Sequence, residues 1–97
     1  MLANYVVEVT QEHIEKGVRG ECGSCPLSLA FSELFNQRVF VGRVSFSFPD
    51  VKKPLPHFRL PKIAEEFIDN FDKGKPVQPF SVLIRIPTAY LDTILKI

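Results

Sequence analysis

The chain has 97 residues and a net charge of +1, with 45% hydrophobic and 24% charged residues. This length predicts one domain, residues 1–97, and the composition is typical of a folded globular chain. A net charge so close to zero excludes the strong overall field with which basic proteins attract nucleic acids. The apolar stretches are shorter than the roughly 20 residues that span a membrane, and the N-terminus lacks a signal-peptide pattern, so we expect a cytoplasmic protein without membrane segments.

The first part of the chain shows regular patterns of apolar residues. Alternation over 4–9 predicts a strand. The Thr10 hydroxyl and Gly17 suit the two ends of a short helix over 11–16. A proline opens the next apolar stretch, whose helical spacing predicts a second helix over 26–36.

One strand and one proline-rich connection follow. Over 40–48 phenylalanines alternate with polar residues, which predicts a single half-buried strand with a bend at Gly42. We expect Val44 on the buried face of this strand, together with the phenylalanines. Three prolines within 54–61 exclude a helix interior or a central strand and predict an extended connection.

The remaining residues predict two helices separated by a strand. The stretch 62–73 has apolar residues on one helical face, beginning with Ile63, and carboxylates on the other. Residues 80–86 alternate but have a partly apolar second face, which favours a central strand. The stretch 88–95 suits a last short helix that packs Leu95 against the core.

These patterns together predict an α+β domain in the order β-α-α-β-α-β-α. We expect one small sheet of about three strands, with three helices packed on one of its faces. Exposed strand edges would permit either a monomer or a homodimer formed by extension of the sheet.

Two cysteines, Cys22 and Cys25, lie in a glycine-containing loop directly before Pro26. One interpretation is a helix start, in which Ser24 or Cys25 caps the helix and Pro26 occupies its first position. In that case both cysteines are small buried hydrophobic residues.

Three other interpretations give this loop a chemical role. Cys22 and Cys25 would form half of a zinc site, although the sequence lacks the second close pair of ligands that such sites use. Two thiols at a helix N-terminus would also suit a redox module. The backbone of Gly20, beside Arg19, would suit the binding of a phosphate or carboxylate. We predict no cofactor, with zinc as the alternative.

The same loop carries a motif that can be written I-x-x-G-x-x-G-x-C-x-x-C-P-x-x-L-A. Its positions are Ile14, Gly17, Gly20, Cys22, Cys25, Pro26, Leu29 and Ala30. In this motif the chain resembles a family of short, mostly uncharacterised phage and prophage proteins. The resemblance covers about 20 residues well and residues 74–80 more loosely. It implies a phage origin and a small size, and it assigns no catalytic role.

Charge is concentrated in two adjacent segments. Residues 38–62 hold six basic residues and one acidic residue, and the helix over 62–73 has its carboxylates on one face. An exposed phenylalanine among basic residues would be a natural anchor for a protein partner. We predict a partner-binding surface made of Lys52, Lys53, His57, Phe58, Arg59, Glu65, Glu66 and Asp69.

The predicted function is that of a small non-enzymatic binding protein. The spacing of residues shows neither a serine-histidine-aspartate set nor a metal-binding loop. With the resemblance, this predicts a phage-encoded modulator or inhibitor that acts by contact with a protein, such as a host protein. The alternatives are a metal-binding or thiol redox module at Cys22 and Cys25, and local nucleic-acid binding through 38–62, although nucleic acid is not the partner we expect.

Overall fold

The structure is a computed structural model that describes residues 1–95. These residues form a mixed α+β fold with four α-helices and two small antiparallel sheets, of two and three strands. The elements are β1 (Leu2–Val9), α1 (Gln11–Lys16), α2 (Pro26–Phe35), β2 (Phe40–Val41), β3 (Ser45–Ser47), β4 (Phe58–Arg59), α3 (Lys62–Asp72), β5 (Phe80–Pro87) and α4 (Leu91–Leu95), with a 3-10 helix at Thr88–Tyr90. The predicted α+β class is confirmed, whereas the single three-stranded sheet is replaced by two sheets.

The first sheet joins the first and the last strand. β1 and β5 pair in antiparallel register from Leu2 opposite Pro87 to Val9 opposite Phe80. Alternate side chains of both strands enter the core, and the others face outward. The expectation that β5 is a central strand is wrong, because within residues 1–95 its only partner is β1 and Leu83 is 45% exposed.

The second sheet contains β2, β3 and β4 in that order. The continuous strand predicted over 40–48 is wrong, because the chain turns back between β2 and β3. The Gly42 N–H donates to the Ser45 carbonyl across this turn at 2.8 Å. Val44 therefore lies in a hairpin turn and is 48% exposed instead of buried. The turn also switches the core-facing parity, because Val41 lies opposite Phe46 on the buried face, whereas Phe40 lies opposite Ser47 and is only half-buried. The alternation placed Phe40 on the same face as Phe46, and so it did not indicate the turn.

Five phenylalanines from α2 and the second sheet form the centre of the core. Neighbouring rings have centroids 5.0 to 6.1 Å apart, mostly in edge-to-face geometry. Phe58 belongs to this group because β4 pairs it with Phe46 of β3, and it is only 7% exposed. The prediction of Phe58 as an exposed partner anchor is therefore wrong. The cluster consists of Phe31, Phe35, Phe46, Phe48 and Phe58.

The two N-terminal helices begin largely as predicted. Thr10 caps α1 by accepting from the His13 N–H, and its own N–H donates to His13 Nδ1 at 2.9 Å. Because Nδ1 accepts, Nε2 carries the ring proton and donates to Glu33 Oε2 of α2 at 3.2 Å. The buried imidazole thus joins α1 to α2. The helix predicted over 26–36 is confirmed as α2, which ends at Asn36 in the left-handed conformation with φ 53°.

The two C-terminal helices differ from prediction in which side chains they bury. α3 buries Ala64, Phe67 and Ile68, but Ile63 in its first turn is exposed. In α4 Ile94 is fully buried and Leu95 is exposed, the reverse of what was expected for Leu95. The preceding 3-10 helix advances by about three residues per turn, which rotates the helical phase that the sequence pattern assumed.

We expect Gly17→Ala to destabilise the fold. A Cβ at this position would lie 2.5 Å from Pro26 Cδ and 2.6 Å from Pro26 Cγ, and a proline ring at a helix start has little room to move. Overpacking of this kind costs about 1–3 kcal/mol of unfolding free energy, which chemical denaturation measures.

Gly42→Ala is the matched control. Its Cβ would meet nothing closer than the Ser45 carbonyl oxygen at 3.6 Å, an ordinary contact. A loss of stability in Gly17→Ala no larger than in Gly42→Ala would show that the packing of α1 against the start of α2 is looser than the structure indicates.

Candidate functional site: the cysteine loop and the groove beside helix α3

The loop that connects α1 to α2, residues 17–25, is here called the cysteine loop. It is held by its own backbone, since the Val18 N–H donates to the Ser24 carbonyl at 2.8 Å. The N–H groups of Ser24 and Cys25 both donate to the Glu21 carbonyl, at 3.0 and 2.9 Å. Gly20 has φ +73°, a conformation that side chains disfavour. The loop is thus an ordered turn that leads directly into α2.

Cys25 is part of the helix start. Its Sγ accepts the Ser28 N–H at 3.4 Å and lies 3.9 Å from the Val41 carbonyl of β2, to which the thiol donates. Burial raises the pKa of this thiol above its ordinary value, so the uncharged form is favoured. The prediction that Cys25 caps α2 with Pro26 at its first position is confirmed. The prediction that Cys22 is also buried is wrong, because Cys22 is exposed.

Two serines of α2 extend this contact to the chain before β2. The buried Ser28 hydroxyl donates to the Val39 carbonyl, and the Ser32 hydroxyl accepts the Val39 N–H at 2.9 Å. This role of the two serines was not among the predictions from the sequence. The signal was the four-residue spacing of the serines, which places both hydroxyls on one side of the helix.

The proposed anion site at Arg19 and Gly20 is already used by the chain. The Gly20 N–H donates to Asp72 Oδ1 at the end of α3, at 3.1 Å. The Arg19 guanidinium lies against Gly74, within 3.4 Å of where a Cβ would stand. The carboxylate that the Gly20 N–H contacts is therefore internal, and this hydrogen bond joins the loop to α3.

The structure gives the cysteine pair few partners for a metal. Among residues 1–95 there is no group of three or more His, Cys, Asp and Glu side chains that could hold a metal ion. His13 is engaged with Thr10 and Glu33, and His57 is exposed on the connection before β4. The two histidines thus do not complete a zinc site with Cys22 and Cys25.

A groove of about 590 Å³ runs between α3 and the β2–β3 hairpin turn. It combines acidic, basic and aliphatic side chains. The Asp69 carboxylate accepts from Lys73 Nζ at 3.0 Å, and this hydrogen bond, with the nearby charge of Arg43, holds the pKa of Asp69 below its usual range. We call this feature the α3 groove. Its lining residues are Arg43, Val44, Lys62, Glu65, Glu66, Ile68 and Asp69.

The α3 groove unites only part of the predicted partner surface. Glu65, Glu66 and Asp69 line it, and Arg59 Nε lies 3.9 Å from Glu65 Oε2. The two lysines at 52 and 53 instead line a separate cleft of about 220 Å³ with side chains of α4. Lys52 and Lys53 therefore lie outside the groove that the carboxylates of α3 line.

The basic excess of residues 38–62 is smaller than its count of charges. The Arg38 guanidinium donates to both carboxylate oxygens of Asp50, with Nε at 2.9 Å from Oδ2. This hydrogen bond lowers the pKa of Asp50 from its ordinary value. With Arg38 occupied and Arg59 near Glu65, fewer cations remain to contact phosphates, which weakens the nucleic-acid alternative.

Comparisons with models of known families, with curated proteins and with solved structures found no match for this chain. Over the part of the chain that the structure describes, no helix combines the length and the apolar character needed to cross a membrane. The functional proposal therefore depends on the geometry and charge of the sites themselves.

We expect iodoacetamide to alkylate Cys22 in the native protein and to leave Cys25 unmodified. Alkylation requires a thiolate that the reagent can reach, and Cys25 is buried with a raised pKa. Intact-mass measurement at about pH 8 should count one alkyl group on the native chain and two on the unfolded chain.

The Cys22→Ser variant is the control for this labelling. Its native form should gain no alkyl group, and its form unfolded in denaturant should gain one, on Cys25. Rapid labelling of Cys25 in the native variant would contradict its placement as a buried helix cap.

Proposed function

We propose that this protein is a small non-enzymatic binding protein whose α3 groove holds a segment of another protein. The observation that carries the proposal is the composition of the groove, in which carboxylates of α3 lie beside the exposed side chain of Val44. A site of this kind suits recognition of a peptide segment, since aliphatic contacts supply burial and charges select the partner.

The acidic side of the groove defines the chemistry of the partner. Glu65, Glu66 and Asp69 project from one side of α3 at spacings that make them neighbours. Asp69 already accepts a hydrogen bond from Lys73 Nζ, whereas Glu66 forms no ion pair with any residue of 1–95. Glu66 is thus the carboxylate with most capacity for a new cation, which favours a partner segment with lysine or arginine.

Aliphatic side chains border these charges. Val44 at the hairpin turn is 48% exposed, and Ile63, three residues before Glu66 on α3, is exposed as well. Residues three apart on a helix lie next to each other, so a bound segment would meet Ile63 and Glu66 together. The partner segment that fits is basic and partly apolar.

The resemblance of the cysteine loop to phage and prophage proteins suggests the biological setting of this binding. In that setting the partner is a host protein, and the chain acts as a modulator or inhibitor by occupying it. The contact surface we propose is narrower than the sequence suggested, because it excludes the buried Phe58 and the separate cleft beside Lys52 and Lys53.

The double variant Glu66→Lys/Asp69→Lys should reduce partner binding at least about tenfold, since reversed charges oppose a basic segment across the contact. The measurement is affinity capture from a bacterial lysate with quantitative mass spectrometry, followed by titration of the captured protein against the purified variants.

The control is Glu12→Lys/Glu15→Lys on α1. It makes the same change of charge on an exposed helix and also breaks one ion pair at i,i+4, since Glu12 pairs with Lys16 as Asp69 pairs with Lys73. Equal capture by both double variants and the unmodified protein would overturn the proposal. An equal loss in both would point to a nonspecific effect of charge, which also overturns it.

A further inference from the structure

β1 has an open edge. Among the described residues it pairs with β5 alone, over eight positions, so its other side presents unpaired backbone N–H and C=O groups. On the β5 side, Arg59 and Pro61 border a cleft of about 330 Å³ together with Leu83 and Arg85, so part of that side faces other residues of the chain. The open edge of this sheet is therefore that of β1.

Burial supports this assignment. Tyr5 and Ala3 face the core from β1 but are only half-buried, whereas their partners Ile84 and Ile86 on β5 are completely buried. Val7 and Val9, further along β1, are buried, so the partial exposure is confined to the first half of the strand. The first half of β1 thus lies at the margin of the described structure.

This edge lacks the features that usually prevent strands from pairing. Natural edge strands carry lysine, proline, a bulge or an inward charge. β1 reads LANYVVEV, and its one charged side chain, Glu8, points outward and accepts a hydrogen bond from the Ser81 hydroxyl at 2.6 Å. The remaining residues of the strand are uncharged, so nothing in its chemistry opposes a further strand.

The outward face at the middle of the sheet is apolar. Val6 is 55% exposed and lies directly opposite Leu83, which is 45% exposed. Two exposed aliphatic side chains in cross-strand contact form a short stripe that runs up to the open edge. A strand added there would extend the stripe if it carried an aliphatic residue at the matching position.

We propose that β1 pairs antiparallel with β1 of a second copy of this chain, with the two-fold axis at Val6. In this register Val6 faces Val6 of the second copy, and the stripe becomes four aliphatic side chains across a continuous four-stranded sheet. Residues directly opposite in an antiparallel pair share a face, so Tyr5 meets Val7 on the inner side.

Two features favour this register over its neighbours: the separation of the two Glu8 carboxylates and the pairing of the two Val6 side chains. Centring the axis on Val6 places Glu8 opposite the neutral amide of Asn4, so the two Glu8 carboxylates stay apart. Centring it on Val7 would place Glu8 opposite Val6, and centring it on Tyr5 would place Val6 opposite Asn4, so each separates the valines. Because the β5 edge is partly covered, pairing stops at two copies and forms a closed dimer.

The test is the oligomeric state of the full chain as a function of concentration, by sedimentation equilibrium. We expect a monomer–dimer equilibrium, and we expect Val6→Lys to raise the dissociation constant at least about tenfold, because it places two ammonium groups directly opposite each other. Val44→Lys is the control, since it replaces a valine of similar exposure in the hairpin turn.

Disulfide trapping tests the register independently. In a Cys22→Ser background, Val6→Cys should form a covalent dimer with diamide, because opposed residues in an antiparallel pair lie within the Cα separation that a disulfide spans. Val44→Cys should form it at least about tenfold more slowly.

A chain that stays monomeric at all concentrations would overturn this proposal. So would a dimer that Val6→Lys leaves unchanged, or one in which both cysteine variants cross-link at equal rates, since each indicates another interface. Partner binding at the α3 groove is measured separately and depends on Glu66 and Asp69, so the two proposals fail independently.

Discussion

The rest of the structure depends on the hydrogen bonds that join the cysteine loop and α2 to the backbone of Val39 and Val41. Val39 and Val41 are buried, and β3 pairs with only one side of this stretch of the chain. Their backbone groups on the other side would each cost about 1–3 kcal/mol if left unpaired. The Val39 N–H donates to the Ser32 hydroxyl, and the Val39 carbonyl accepts from the Ser28 hydroxyl. The Val41 N–H donates to the Cys22 carbonyl, and the Val41 carbonyl accepts from the Cys25 thiol.

This contact explains the cysteine loop and places the α3 groove. Because the loop and α2 hold β2, they also fix the position of the hairpin turn that carries Arg43 and Val44. The same loop reaches α3 through the bond between the Gly20 N–H and Asp72. Both walls of the groove are thus tied to one loop, and a residue pattern that resembles an active site holds the walls of the proposed binding surface in place.

The sheet of β1 and β5 is a second unit of the structure with its own exposed surface. It holds the two ends of the described chain together and contributes valines and isoleucines to the core from one face. Its other face and its open edge are distant in sequence from the residues of the α3 groove. The two proposed contact surfaces therefore differ in chemistry, since charge would select the partner of one, and backbone pairing and strand register that of the other.

The sequence by itself determined the class of the fold, the helices and their starts, because capping and apolar periodicity act within a few residues of one another. For this reason the predicted roles at the helix starts are correct: Thr10 and Cys25 cap α1 and α2, and Pro26 is the first residue of α2. Only the tertiary structure decided that residues 40–48 form a hairpin, that Phe58 is buried and that the Gly20 N–H binds Asp72. These outcomes depend on contacts between residues far apart in the chain, such as Phe46 with Phe58, and a local pattern holds no information on which distant strand or carboxylate will occupy the neighbouring place.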